Sequence, residues 1–292
     1  MATFETVPGR AQPLEVRTCH GSTAGVVWES ARVLGALLAA ELRERDHTVL
    51  EFGAGTGFLA MMLASGAKGT RVIATDTLEH LRNLKYNVTK NNLRHTVSCF
   101  CWDWREPPPE QLDWSAITLC VASDVVYYSE SPAQESALVA ALCSIVGRCR
   151  ADARILLLLR VRLNVHIEAA GGSTSTPTSS ERLVPVASDD ASASSTLRFV
   201  AQALPCAGLH AAPLPIPDVL AGDGSFRYYE VRSASPKALA ARVAEAASPA
   251  AASVAATAAG VPVAETDDAE LVTADGDAIY CAPLEDLMSW TE

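Results

Sequence analysis

The sequence predicts an α/β fold in which helices cover both faces of a largely parallel β-sheet. Two observations support this prediction. Short apolar runs alternate along the chain with segments of helical period, and a glycine-rich loop at residues 53–57 joins the first apolar run to a helix. The chain has 292 residues, of which 49% are hydrophobic, and this is enough apolar material for a large core.

The first half of the chain contains the clearest alternation of strands and helices. Apolar residues recur at helical spacing in residues 29–45, and Gly66 ends the helix that follows the glycine loop. Asn91 provides a C-cap for the next helix. The predicted elements are, in order, helix 29–45, strand 48–52, helix 58–64, strand 71–75 and a helix that ends at about residue 91.

The second half continues the alternation with more strongly apolar strands. Asp113 and Asp124 flank a continuous apolar run, and Pro132 stands in the first turn of the helix that follows. The run at residues 155–161 is the most apolar of all, as expected of a central strand. The predicted elements are strand 96–101, strand 117–122, helix 132–146, strand 155–161, helix 196–207 and strand 226–232.

Composition divides the chain into one domain and a tail. Residues 1–232 contain all of the predicted strands, with an insertion at residues 169–195 that is rich in serine and threonine and too polar to pack. Alanine and acidic residues dominate residues 233–292. We therefore expect a largely disordered tail, in which the short amphipathic segment 284–290 docks on its own domain or on a partner.

Charge and cysteine content exclude several classes of function. A formal net charge of −11 repels phosphate backbones, so we expect no nucleic-acid partner. We expect a soluble protein without a membrane span, since no run of about 18 apolar residues and no signal-peptide pattern occurs. We also expect a monomer. The eight cysteines are scattered, which predicts reduced thiols in a cytoplasmic protein, or alternatively a nuclear one, and no metal site.

The glycine loop and an acidic residue after the second strand predict a nucleoside ligand. Such a loop lets the backbone approach a ligand at the N-terminus of a helix. Phe58 stands where a dinucleotide-binding fold needs its third glycine, which argues against a pyrophosphate. Asp76 closes the second strand, where an acidic side chain meets ribose hydroxyls in a doubly wound sheet, and helix capping is its alternative role.

The same residues carry a family resemblance. The string VLEFGAGTG at residues 49–57, with ATD at residues 74–76, resembles motif I and the following acidic motif of the seven-β-strand (class I) S-adenosylmethionine-dependent methyltransferases. Three further features resemble a narrower group, the methyltransferase-like protein-lysine N-methyltransferases. These features are GVVW at residues 25–28, Asn87 with Asn91, and DVVY at residues 124–127. The resemblance covers about residues 21–162.

This resemblance implies a Rossmann-like sheet of seven strands, mostly parallel with the last strand antiparallel, and S-adenosyl-L-methionine as cofactor. It implies that Asp76 holds the ribose hydroxyls and that Trp102 contacts the adenine, although Trp104 stands close enough in sequence to be the alternative. The residues that it assigns to the cofactor are Trp28, Gly53, Ala54, Gly55, Asp76, Trp102 and Ser123.

Asp124 and Tyr127 form the implied catalytic pair. They follow the fourth predicted strand, at the edge where open α/β sheets place their sites. Asp124 would hold an amine by charge and hydrogen bond, while Tyr127 would offer its ring to the stem and cationic head of lysine. Helix capping by Asp124 and a core position for Tyr127 are the alternatives.

The implied reaction is transfer of a methyl group to a lysine side chain of a protein substrate. The sequence leaves two other functions open. Methylation of a small-molecule amine is one, and a non-catalytic scaffold that binds the cofactor is the other.

Overall fold

Helices cover both faces of a seven-strand sheet in the computed structural model of the chain. The structure describes residues 1–8, 10–19, 21–67, 69–126, 132–162 and 194–234, and the backbone of residues 271–272 and 278–279. The chain divides into two units, Met1–Ala244 and Glu245–Glu292. The described residues of the second unit form a pair of antiparallel strands, Leu271–Val272 and Ala278–Ile279.

The elements of the first unit follow the predicted order, with an added hairpin at the N-terminus. The strands are β1 (Ala2–Glu5), β2 (Leu14–Arg17), β3 (Thr48–Phe52), β4 (Arg71–Asp76), β5 (Val97–Cys101), β6 (Leu119–Ser123), β7 (Arg154–Arg160), β8 (Leu209–Leu214) and β9 (Phe226–Ser233). The helices are α1 (Glu29–Leu38), α2 (Glu41–Glu44), α3 (Phe58–Gly66), α4 (Leu78–Lys90), α5 (Pro132–Arg148), α6 (Ser195–Arg198), α7 (Leu204–Cys206) and α8 (Asp218–Ala221). A π-helical segment (Phe199–Ala203) joins α6 to α7.

The strand order of the sheet is β5-β4-β3-β6-β7-β9-β8. The five strands from β5 to β7 are parallel, and β9 is antiparallel to both β7 and β8. This arrangement confirms the predicted fold, including the antiparallel last strand. After β5 the chain returns to place β6 beside β3, so the strand order reverses between β3 and β6. Open α/β sheets bind their ligands at such a reversal.

The apolar strands are buried on both faces because successive side chains point to opposite sides of a sheet. Along β7, Leu156 and Leu158 belong to the core that includes α1, α3 and α4. Leu157 and Leu159 belong to the core that includes α5 and the helix containing Phe199. The continuous apolar run of β7 therefore supplies two cores at once.

Three features differ from the elements predicted from the sequence. The helix predicted for residues 29–45 is broken into α1 and α2, and Leu42 in α2 is still buried. The sequence pattern does not reveal the hairpin, because β1 and β2 contain four residues each. It also does not reveal β8, which includes the polar His210 and the strand-disfavouring Pro213.

Much of the predicted insertion at residues 169–195 and of the predicted tail at residues 233–292 lies outside the described residues. The domain boundary at residue 232 therefore stays a prediction. In the part of the chain that the structure describes, no helix has both the length and the apolar character needed to cross a membrane.

Asparagine side chains of α4 attach the hairpin to the sheet domain. Asn87 Oδ1 accepts the N–H of Arg17 at 2.8 Å, and Asn87 Nδ2 donates to the Arg17 carbonyl at 3.2 Å. Asn91 makes the same pair of bonds to Glu15, at 2.9 and 2.8 Å. The distance between residues four apart on a helix is close to the distance between residues two apart on a strand. The two carboxamides can therefore form hydrogen bonds with the backbone N–H and C=O groups along one edge of β2. Asn87 Nδ2 also donates to the carbonyl of Thr56 at 2.9 Å, which links the hairpin to the glycine loop.

Replacing Asn87 by alanine is expected to lower the free energy of unfolding by about 2–4 kcal/mol, because buried backbone groups lose their partners. Asn87 itself is fully buried. Chemical denaturation measures the loss, and Thr89→Ala, at an exposed site of the same helix, is the matched control. Equal, small losses in the two variants would contradict the role assigned to Asn87.

Candidate active site

A cavity of about 630 Å³ opens at the carboxyl ends of β3, β4, β5 and β6. Cavities that hold small organic ligands commonly measure roughly 300–1,000 Å³. The predicted site residues that line it are Trp28, Gly53, Ala54, Gly55, Asp76, Trp102, Ser123 and Asp124. The structure therefore brings these residues together at the reversal of strand order. Tyr127, the second predicted catalytic residue, lies outside the described residues.

The backbone of the glycine loop forms one wall of the cavity. The N–H groups of Gly53 and Ala54 both donate to the carbonyl of Thr75, at 3.0 and 2.9 Å, and Gly55 N–H donates to the Asp76 carboxylate at 2.6 Å. Gly55 has a φ of 54°, and a Cβ there would lie 3.0 Å from the carbonyl oxygen of Ala24. Glycine permits this turn because it lacks that atom. The three N–H groups therefore tie the loop to the end of β4.

Asp76 receives hydrogen bonds on both of its carboxylate oxygens. Oδ2 accepts the Gly55 N–H, while Oδ1 accepts the N–H of Thr77 at 2.8 Å and lies 3.0 Å from His80 Nδ1. The hydrogen bond to Asp76 raises the pKa of His80, because it favours the imidazolium form. His80 Nε2 lies 3.0 Å from the hydroxyl of Ser22, which fixes the ring. Oδ2 keeps a lone pair that can accept a ribose hydroxyl.

Glu51 adds a carboxyl group whose role the sequence pattern does not disclose. The residue is 2% exposed, and Oε2 has no hydrogen-bond partner among the described residues. Burial raises the pKa of Glu51 to about 8, so the carboxyl is mostly protonated at neutral pH. An acidic residue inside the apolar strand 48–52 is the signal that could have identified it.

Glu51 Oε2, which has no hydrogen-bond partner among the described residues, provides a criterion for whether the predicted cofactor fits this cavity. A buried carboxylate is stable as an anion when a cation lies beside it. S-adenosyl-L-methionine carries two cationic groups, an ammonium and a sulfonium. Glu51 therefore fits the amino-acid portion of that cofactor, as Asp76 fits its ribose.

Two indole rings follow β5 and border the cavity. Trp104 lies over the glycine loop: a Cβ on Gly53 would be 3.0 Å from Cζ2 of its ring, which packs edge-on against Phe52. Trp102 is only 3% exposed and packs edge-on against Trp114, with ring centroids 6.0 Å apart. The adenine contact assigned to Trp102 stays a prediction, and Trp104 is the ring that faces the loop.

Asp124 directly follows β6 in a conformation that is uncommon for a residue other than glycine. Its φ is 55°, and its N–H donates to the carbonyl of Leu158 in β7 at 2.8 Å. Because α5 begins only at Pro132, Asp124 is not at its N-cap. The Asp124 side chain is 4% exposed and forms an ion pair with Arg162, in which Nη1 donates to Oδ1 at 2.8 Å and Nη2 donates to Oδ2. Asp124 is therefore a charged group of the cavity.

Comparison with known proteins gives matches of the predicted class. A family model described as lysine methyltransferase matches residues 12–166, more than half of the chain. Protein-lysine methyltransferase METTL21E of Mus musculus is 40% identical over 83 residues, which are 27% of this chain and 32% of the mouse protein. The protein of the same name from Bos taurus is 31% identical over 157 residues, 51% of this chain and 50% of the bovine protein. The matches thus span at most half of the length of these curated relatives.

Among solved structures, the mitomycin 7-O-methyltransferase MmcR is 18% identical with a TM-score of 0.47, and the match covers 70% of this chain and 54% of that one. The family match confirms the resemblance that the glycine loop and its companion motifs carry, and with it S-adenosyl-L-methionine as the cofactor. On the match over residues 12–166, the chain belongs to the lysine methyltransferase family.

Proposed function

We propose that this chain transfers a methyl group from S-adenosyl-L-methionine to a lysine side chain of a protein substrate. The family match and the names of the relatives support this proposal. The observation that carries it is the buried carboxylate of Asp124, which faces the same cavity as the glycine loop and Asp76 and already binds a cation. A carboxylate fixed beside a nucleoside pocket suits an amine as the methyl acceptor.

The residues that would hold the cofactor belong to or follow β3, β4 and β5. Asp76 would accept the ribose hydroxyls, the backbone of the glycine loop would lie against the methionine and ribose portion, and Glu51 would pair with a cationic group. Trp102 and Trp104 are the rings available to the adenine. When bound, the cofactor supplies an electrophilic methyl group on its sulfonium.

The remaining work of the chain is to position an uncharged amine. A lysine ammonium has a pKa of about 10.4 and must lose a proton before it can attack. Asp124 would anchor the ammonium and set its direction, and the proton would pass to solvent before the attack. Removal from bulk water lowers the pKa of the ammonium and favours this loss, whereas the neighbouring carboxylate raises that pKa. Trp28, which the resemblance assigns to the cofactor, lies beside the Arg162–Asp124 ion pair, so we propose that it and the predicted Tyr127 border the aliphatic stem instead. The cytoplasmic location and the monomeric state expected from the sequence stay predictions.

Cofactor binding at pH 7 is expected to release close to one proton from Glu51, because a carboxyl with a pKa of about 8 ionises when a cation arrives beside it. Calorimetric titration with S-adenosyl-L-methionine in buffers of different ionisation enthalpy measures this number. Glu51→Gln should abolish the release and weaken binding.

Glu135→Gln provides the matched control for that titration. Glu135 also lines the cavity, but it is ion-paired with Arg198 at 3.1 Å. This variant should release the same number of protons as the unaltered chain. If Glu51→Gln also releases that number, Glu51 is not the partner of the cofactor's cation.

Methyl transfer itself is tested by incubating the full chain with cell lysate and S-adenosyl-L-methionine that carries a labelled methyl group. The proposal predicts a labelled protein band in which mass spectrometry finds methyllysine. A labelled small molecule would instead support methylation of a free amine. Cofactor binding without any labelled product would support the scaffold function.

Asp124→Asn is expected to lower the rate of this transfer by about tenfold or more, which corresponds to about 1.4 kcal/mol of transition-state stabilisation. Cofactor affinity should change much less, because the residue proposed to bind the ribose is Asp76 at the end of β4. Asp124 follows a different strand, β6. Asp103→Asn is the control, since Asp103 lines the same cavity and is paired with Arg105. Wild-type rates in Asp124→Asn, measured beside thermal unfolding, would show that Asp124 is not catalytic.

A further inference from the structure

The side chain of Arg162, a cation that belongs to the chain itself, lies against the carboxylate of Asp124. Arg162 follows β7, and its guanidinium binds both oxygens of the Asp124 carboxylate. The same guanidinium lies over the ring of Trp28, with its central carbon 5.7 Å from the ring centroid. All three residues line the cavity. A carboxylate on one side and an aromatic face on the other are the two groups that proteins use to bind organic cations.

The two partners of this ion pair differ in how firmly they are held. The Asp124 side chain is 4% exposed, and its backbone is fixed by the bond to Leu158. The Arg162 side chain is 36% exposed, and in the described part of the chain its guanidinium has no further hydrogen-bond partner. Asp124 is therefore the fixed anion, and Arg162 is the partner that can leave.

Burial of the Asp124 carboxylate favours a cation beside it in the free enzyme and when the substrate first enters. A buried carboxylate without a partner costs several kcal/mol, so an empty site would destabilise the free enzyme. Arg162 removes this cost while the substrate is absent. A substrate ammonium that replaces Arg162 preserves the charge balance, whereas a neutral side chain does not.

We infer that Trp28 and Asp124 form the subsite for the substrate's ammonium, and that Arg162 occupies this subsite until the substrate lysine displaces it. The inference rests on the proposed lysine methylation and adds a selection step before it. Only a cationic side chain of the right length competes with the guanidinium. Arg162 thus lowers the apparent affinity for substrate and excludes neutral side chains.

The test uses the full chain at pH 7.5 and n-butylammonium, which has the length and charge of a lysine side chain. Binding is measured by calorimetry or by ligand-observed NMR. If Arg162 fills the subsite more than about nine-tenths of the time, Arg162→Gln should bind n-butylammonium about tenfold more tightly than the unaltered chain. Adding Asp124→Asn to that variant should remove the gain.

Two controls test whether the tighter binding by Arg162→Gln is specific to a cation at this subsite. Uncharged n-butanol should bind the unaltered chain and Arg162→Gln equally. Arg160→Gln changes an arginine two residues earlier that pairs with Asp223, and it should leave n-butylammonium binding unchanged. Equal or weaker binding of n-butylammonium by Arg162→Gln would overturn the inference.

A second measurement uses the unaltered chain and does not depend on the folding of any variant. The Nε–H resonance of Arg162 should shift as n-butylammonium is added, because the guanidinium leaves Asp124. An unchanged resonance at saturating n-butylammonium would overturn the inference. Neither measurement involves methyl transfer, so the inference can fail while labelled methyllysine still forms, and the reverse outcome is equally distinguishable.

Discussion

Three carboxyl groups lie buried at one edge of the sheet, and the rest of the site follows from the cost of keeping each of them there. An unpaired buried charge costs several kcal/mol, and the chain avoids this cost in three different ways. Glu51 holds a proton, Asp76 accepts N–H donors such as that of Gly55, and Asp124 binds Arg162. The residues belong to or follow β3, β4 and β6, so the parallel topology brings them into one cavity.

A cavity of this kind selects for positively charged ligands. Glu51, whose pKa is raised to about 8 by burial, would ionise beside a cation, and the carboxylate of Asp124 is already paired with the guanidinium of Arg162. The proposed reactants are both cationic on entry: the cofactor carries an ammonium and a sulfonium, and the lysine carries an ammonium. The formal net charge of −11 acts in the same direction over longer distances, because it attracts basic protein surfaces and repels phosphate backbones.

Local patterns in the sequence predict most of the fold and part of the site. Buried strands alternate with helices, and the glycine loop with Asp76 marks the cavity, because these signals lie within short stretches of chain. The two asparagine contacts to the hairpin join residues 70 and 76 positions apart, and the bond from Arg162 to Asp124 joins residues 38 positions apart. Local sequence patterns do not predict contacts over such separations. The protonated state of Glu51 depends on burial by the surrounding fold, so the sequence shows only an acidic residue in an apolar strand.

The proposed cofactor site depends on two buried carboxyl groups, those of Glu51 and Asp76, as the groups that hold S-adenosyl-L-methionine in the cavity. A crystal structure of the full chain with S-adenosylhomocysteine, the product of methyl transfer, tests it most directly. The ribose hydroxyls are expected to bind Asp76, and the amino group of the ligand is expected to lie beside Oε2 of Glu51, which has no hydrogen-bond partner among the described residues. A ligand bound elsewhere, or a ligand in the cavity that leaves Glu51 Oε2 without a partner, would contradict it.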